Sequence, residues 1–130
     1  MAWALLCIPL FLFGCSGEQT VEVKNTVDHQ SEIDVKEVIQ NSNEVYAGNV
    51  IFVDDQLLVA VQAKPWLDYK KKKIEKRLKE QIEEKVPNIE VFVSADYKLY
   101  WETQKLLEQK DEKKVSDEVE KLKKLAKEET

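Results

Sequence analysis

Two prolines bracket the segment that most restricts how this chain folds. Between Pro65 and Pro87, Ile74, Leu78, Ile82 and Val86 recur every four residues, with Leu67 earlier on the same side. That period lays apolar side chains along one stripe of an α-helix. Pro65 suits a helix's first turn, where its missing N–H costs nothing. Pro87 stops the helix, because the residue before proline is pushed out of helical geometry. A helix bounded in this way needs an apolar surface to cover, and the flanking sequence supplies one.

On the N-terminal side, Val50-Ile51-Phe52-Val53 and Leu57 to Val61 are β-rich apolar runs separated by the turn-forming Asp54-Asp55-Gln56. They read as a β-hairpin. Neither run alternates cleanly, which suits strands covered on both faces or a central strand. On the C-terminal side, Ile89, Val91 and Val93 alternate within a third strand. Ser94 or Asp96 is placed to cap a following helix by accepting backbone N–H bonds. That helix carries Tyr97, Tyr100, Trp101 and Gln104 on one side, then Leu106 and Leu107. The order β-β-α-β-α predicts an α+β fold: a small antiparallel or mixed sheet with helices packed on one face. Phe52, Trp66, Phe92 and Trp101 are expected to supply much of the buried area. From Asp111 onward the chain is rich in Lys and Glu, and Val115, Val119, Leu122 and Ala126 form the seam of a C-terminal amphipathic helix.

The N-terminus has a different character. Met1 to Phe13 is apolar and uncharged, shorter than the roughly 20 residues needed to span a bilayer, but suited to the h-region of a secretory signal. It runs into Leu12-Phe13-Gly14-Cys15 and then the polar Ser16-Gly17-Glu18-Gln19. This resembles the lipobox of bacterial lipoproteins, with Leu three places before Cys and a small residue directly before it, although Phe13 is bulkier than usual. The resemblance implies cleavage after Gly14 and diacylglycerol (palmitate-type acyl chains) on the thiol of Cys15. Cys7 would leave with the signal, so the mature chain has one cysteine and no disulfide framework. Two or more acyl chains anchor stably where one does not. The expected organisation is a signal peptide over 1–14 and lipidated Cys15 with an acidic tether over 15–43. An α+β domain over 44–109 and a Lys/Glu-rich helix over 110–130 follow. Within the tether, Ile33, Val35, Val38 and Ile39 have the spacing of a short helix that docks on the domain.

The chain also resembles the sporulation lipoprotein family of spore-forming Gram-positive bacteria, the YhcN/YlaJ type. The residues that carry the resemblance are Tyr46-Ala47-Gly48-Asn49-Val50, Val53-Asp54-Asp55 with Leu58-Val59-Ala60-Val61, and Val86-Pro87-Asn88-Ile89 running into Val91-Phe92-Val93-Ser94-Ala95-Asp96. It implies a lipoprotein made during sporulation, held on the outer face of a cell or spore membrane and linked to spore formation or germination. It brings no catalytic residues, and its partners would be the membrane, through Cys15, and a spore or envelope protein.

The remaining polar residues point to no chemistry. His29 lies among Asp28, Glu32 and Asp34, in a segment without the rigid frame a metal site needs, and reads as a solvated linker histidine. Asp54 and Asp55 read as turn residues. There is no Ser/His/Asp set, no Gly-rich phosphate loop and no zinc spacing, so no enzyme activity, metal, cofactor or small-molecule substrate is expected. A net charge of -5 argues against nucleic acid as a partner. One charge anomaly stands out: Lys70, Lys71, Lys72, Lys73, Lys76, Arg77 and Lys79. It is read either as a solvated helix face or, alternatively, as a surface for anionic polymer or lipid headgroups in a general cell-envelope lipoprotein.

Overall fold

The computed structural model describes residues 20–24, 29–53 and 55–128. In chain order these form β1 (Thr20–Lys24), α1 (His29–Gln40), β2 (Val45–Val53), β3 (Gln56–Ala63), a 3₁₀ turn (Pro65–Lys70), α2 (Lys71–Lys85), β4 (Glu90–Ser94), α3 (Tyr97–Leu106) and α4 (Glu112–Glu128). The strands pair in the order β1-β2-β3-β4. β1 is parallel to β2, β2 antiparallel to β3, and β3 parallel to β4. Parallel neighbours require a crossover, and α1 and α2 provide the two. The fold is thus α+β with a mixed sheet: two β-α-β units joined by the predicted hairpin, followed by two helices.

The helices cover both faces of the sheet, not one as expected from sequence. Val35, Val38 and Ile39 of α1 and Ile74, Leu78 and Ile82 of α2 pack on Val50, Phe52, Val59, Val61, Val91 and Val93. The alternate strand residues Ile51, Val53 and Leu58 face Leu99 and Leu106 of α3 and Val115, Val119 and Leu122 of α4. The unbroken apolar runs explain this. Successive strand side chains point to opposite faces, so β2 and β3, apolar at nearly every position, expose one hydrophobic surface unless both sides are covered.

The stretch read as a tether contributes to this packing. Val21 and Val23 of β1 pack against the α1/α2 core, and β1 pairs along β2 from Thr20↔Ala47 to Lys24↔Ile51. Val35 and Ile39 are fully buried, each contributing about 1.5–3 kcal/mol of transfer free energy. Gly48 lets α1 come close: a Cβ there would lie 3.3 Å from Ile39 Cγ2 and 3.4 Å from Val61 Cγ1, tight for a packed interior.

Local signals around α2 and α3 act largely as expected. α2 ends with Val86, whose N–H donates to the Ile82 carbonyl at 2.8 Å, just ahead of Pro87. Asp96 caps α3, its side chain accepting from the Lys98 N–H at 2.7 Å. The start of α2 differs. Pro65–Lys70 is a 3₁₀ turn and the α-helix opens at Lys71. Lys64, at the cap position, offers no side-chain acceptor for the orphan N–H groups, and a tighter i→i+3 turn satisfies them instead.

Candidate functional site

The register of the sheet sorts the molecule into two ends. Thr20 pairs with Ala47, Val45 with Ala63, and Ala60 with Ser94. The starts of β1 and β2 and the ends of β3 and β4 therefore lie together, along with the 3₁₀ turn and the first turns of α2 and α3. At this end the structure exposes its aromatic side chains. Tyr46, Trp66, Tyr69, Tyr97 and Trp101 range from 45% exposed at Tyr46 to 83% at Tyr69. Trp66 and Trp101 were expected in the core, where of the four aromatics named only Phe52 is fully buried. Phe92 is half-buried against the α3/α4 core.

The rings are held from beneath. Tyr46 sits at the irregularity in the β2–β3 register, and its hydroxyl bonds Gln62 Oε1. A bulge of this kind re-aims a side chain outward. Tyr97 and Trp101, four residues apart on α3, meet edge-on with centroids 5.9 Å apart, and Tyr100 meets Trp101 at 5.4 Å, the arrangement favoured by ring quadrupoles. Tyr100 itself is buried. Burial, then the Glu22 carboxylate, then Tyr46 raise its phenol above the ordinary value, so it stays neutral and protonated at physiological pH. Lys64 Nζ lies 5.9 Å from the centre of the Trp66 ring, within cation–π range.

Asn49, noted in the sequence only within the family-like Tyr46–Val50 segment, locks α3 to the sheet. Its amide nitrogen lies 3.2 Å from the Tyr100 carbonyl, 3.1 Å from Thr103 Oγ1 and 3.0 Å from Gln104 Oε1. The available signal was a polar residue inside an apolar strand, which is costly to bury without partners.

The basic residues of α2 do not form one free surface. Lys70 pairs with Glu44 at 3.7 Å and Arg77 pairs with the same carboxylate. Lys71 lies 3.9 Å from Asp68 and Lys72 3.8 Å from Glu75. Lys73, Lys76 and Lys79 are exposed on the outward side of the helix. Glu75 also accepts the Ala95 N–H at 2.7 Å, tying α2 to the β4–α3 turn. A cleft of about 560 Å³ between α1 and α2 is edged by Glu37, Glu44, Arg77 and Glu84, and the ion pairs of Glu44 form part of its wall.

Of the other residues considered from sequence, Asp55 is an exposed turn residue whose carbonyl accepts from Glu90 N–H at 2.9 Å. Asp54, Gly14 and Cys15 lie outside the described residues. His29 opens α1 rather than lying in a linker. Among the described residues no group of three His, Cys, Asp or Glu could hold a metal ion, and no helix is long and apolar enough to cross a membrane.

The result is a small sheet domain covered by helices on both faces, with exposed aromatic rings and lysines gathered at one end of the sheet. Two segments noted for their likeness to a family, Tyr46–Val50 and Val91–Asp96, reach this same end from either side of β3. The chain belongs to the sporulation lipoprotein YhcN/YlaJ family, whose model matches residues 16–126. Searches of curated proteins and of solved structures gave no match. Membership makes this a spore-related lipoprotein, of a kind held to a membrane by lipid.

Proposed function

We propose that the chain is a non-enzymatic binding or assembly module of spore formation or germination, anchored through Cys15 on the extracytoplasmic side of a cell or spore membrane. The family match over residues 16–126 carries this reading. The Leu12-Phe13-Gly14-Cys15 sequence supports the anchor, with a thiol as the acylation nucleophile and a small residue where the backbone must be cut. The exposed rings support a contact role, because Trp and Tyr concentrate at contact surfaces, membrane interfaces included. The partner is a spore or envelope protein.

Two measurements test the proposal. Growing and sporulating cells carrying wild type or Cys15→Ala are fractionated, and the recovered protein is weighed intact. Acylated, membrane-bound wild type confined to sporulating cells or spores, with an unprocessed variant, is the expected result. A soluble, unacylated protein present in growing cells would sink the anchor. Deletion of the gene is expected to change spore yield, resistance or germination rate; a deletion strain normal in all three would remove the sporulation role.

A further inference from the structure

We propose that the aromatic end of the domain docks on the lipid headgroups of the same membrane that holds Cys15, so that the sheet stands end-on to the bilayer. The inference rests on lipidation of Cys15 and adds a surface and an orientation to it. It starts from where β1 begins. Thr20 pairs with Ala47 at the end of the sheet that carries Tyr46, Trp66, Tyr69, Tyr97 and Trp101. Thr20 is five residues after Cys15, and five residues span at most about 18 Å even fully extended. The anchor therefore leaves from the aromatic end and keeps it within that distance of the membrane. The opposite end, with Gln56 and Glu90 where β3 and β4 begin, faces away.

The chemistry at the near end fits the headgroup region. Trp and Tyr combine an apolar ring with a polar edge and concentrate at membrane interfaces. Lys64 lies beside Trp66, and Lys98 in the first turn of α3 and Lys73 at the start of α2 lie at the same end; cations there favour anionic lipid. The acids at this end are largely engaged: Asp68 with Lys71, and Glu44 with Lys70 and Arg77. A tether this short leaves little room for a protein partner to come between the rings and the bilayer.

The mature chain carries its own reporters. Trp3 precedes Cys15, so processing leaves Trp66 and Trp101, both at the aromatic end. The acylated protein is placed in protein-free vesicles of phosphatidylglycerol and brominated phosphatidylcholine, with intact mass checked on the same sample. Docking predicts tryptophan emission quenched severalfold against unbrominated vesicles and protected severalfold from aqueous acrylamide. Trp66→Phe and Trp101→Phe report each ring separately. A Trp66→Asp, Tyr69→Asp variant changes only exposed positions and is expected to stay folded by circular dichroism while Trp101 loses its quenching severalfold. If the protein is acylated and vesicle-bound yet its tryptophans are untouched by bromine and as open to acrylamide as free N-acetyltryptophanamide, docking is overturned and the anchor stands. If the mass shows no acyl chain, the anchor reading itself fails.

Discussion

The two faces of the sheet are closed by different means. On the α1/α2 side the buried cluster is entirely apolar, from Val35 and Ile39 through Ile74, Leu78 and Ile82, and Gly48 lets Ile39 pack close to the strand backbone. On the α3/α4 side the apolar cluster is smaller, and the buried polar side chains Asn49, Gln62, Ser94 and Thr103 gather there. Around its margin, Gln104 donates to Glu22, Lys24 to the Leu107 carbonyl, and Gln56 to Glu120, while Lys123 pairs with Glu90. Non-directional burial contributes most of the free energy of folding, whereas hydrogen bonds contribute little net but are expensive to break once buried. The first face therefore sets stability, and the second fixes how the ring-bearing helix α3 sits.

That division is open to a direct attack on the first face. Ile39→Ala removes a fully buried side chain from the centre of the α1/α2 cluster and is expected to destabilise the protein by about 2–5 kcal/mol, read from urea unfolding of wild type and variant. A cost below about 1 kcal/mol, of the size typical of exposed positions, would mean that α1 is a loosely attached arm and that the contrast between faces is misdrawn.

This same helix marks the limit of what the sequence disclosed. The hairpin, α2, β4 and the cap at Asp96 were legible because each carries a strong local signal: an apolar run with a turn, a four-residue period between prolines, an acceptor before a helix. The apolar positions of α4 were legible too, although not the surface they cover. Val35, Val38 and Ile39 have a helical spacing, but it is embedded in a charged segment, and only tertiary packing makes it core. β1 is a five-residue edge strand whose partner lies across the whole of α1, a pairing that no local pattern reveals. The rings failed for another reason. Hydrophobicity says which residues gain from burial, not which ones obtain it, so Trp66 and Trp101 were assigned to the interior and the surface they create at the end of the sheet stayed hidden.

On the second face the expected effect is smaller and different in kind. Asn49→Ala removes the amide reaching the Tyr100 carbonyl, Thr103 Oγ1 and Gln104 Oε1, and should cost about 1–3 kcal/mol as Thr103 and Gln104 lose a donor, the Tyr100 carbonyl keeping the Thr103 hydroxyl at 2.7 Å. The distinguishing readout is local: amide hydrogen exchange should accelerate in α3 before it does in α1 or α2. Uniform acceleration across all four helices would show that Asn49 supports the whole core rather than the seating of one helix.

Tyr100 makes the same face sensitive to alkali. Its phenol is raised above 10.0, first by burial and then by Glu22 and Tyr46. The folded state thus favours the protonated form, and the sign follows from linkage. The stability involved is fully present below pH 10.0 and is lost as pH rises through the higher folded value. Melting temperatures of wild type should therefore fall more steeply above that pH than those of Tyr100→Phe, the other ionising groups being common to both. Parallel curves would place Tyr100 in a more open environment than the packing of α3 implies.

The faintest effect is expected where α4 meets the start of β3, at Glu120. Its carboxyl is held below the ordinary 4.5 by the hydrogen bond from Gln56 first, then by Lys123, Lys124 and Lys127. Gln56 Nε2 donates to it across 2.9 Å. A depressed carboxylate contributes stability that is present above its unfolded value and lost as pH falls through the folded one, the opposite sense to Tyr100. Because Glu120 is fully exposed, solvent screens most of the interaction, and Glu120→Gln should only slightly flatten the acid limb of the melting-temperature profile. A large flattening would mean that α4 depends on this polar latch more than on Val115, Val119 and Leu122, and the apolar seam would then be the secondary attachment.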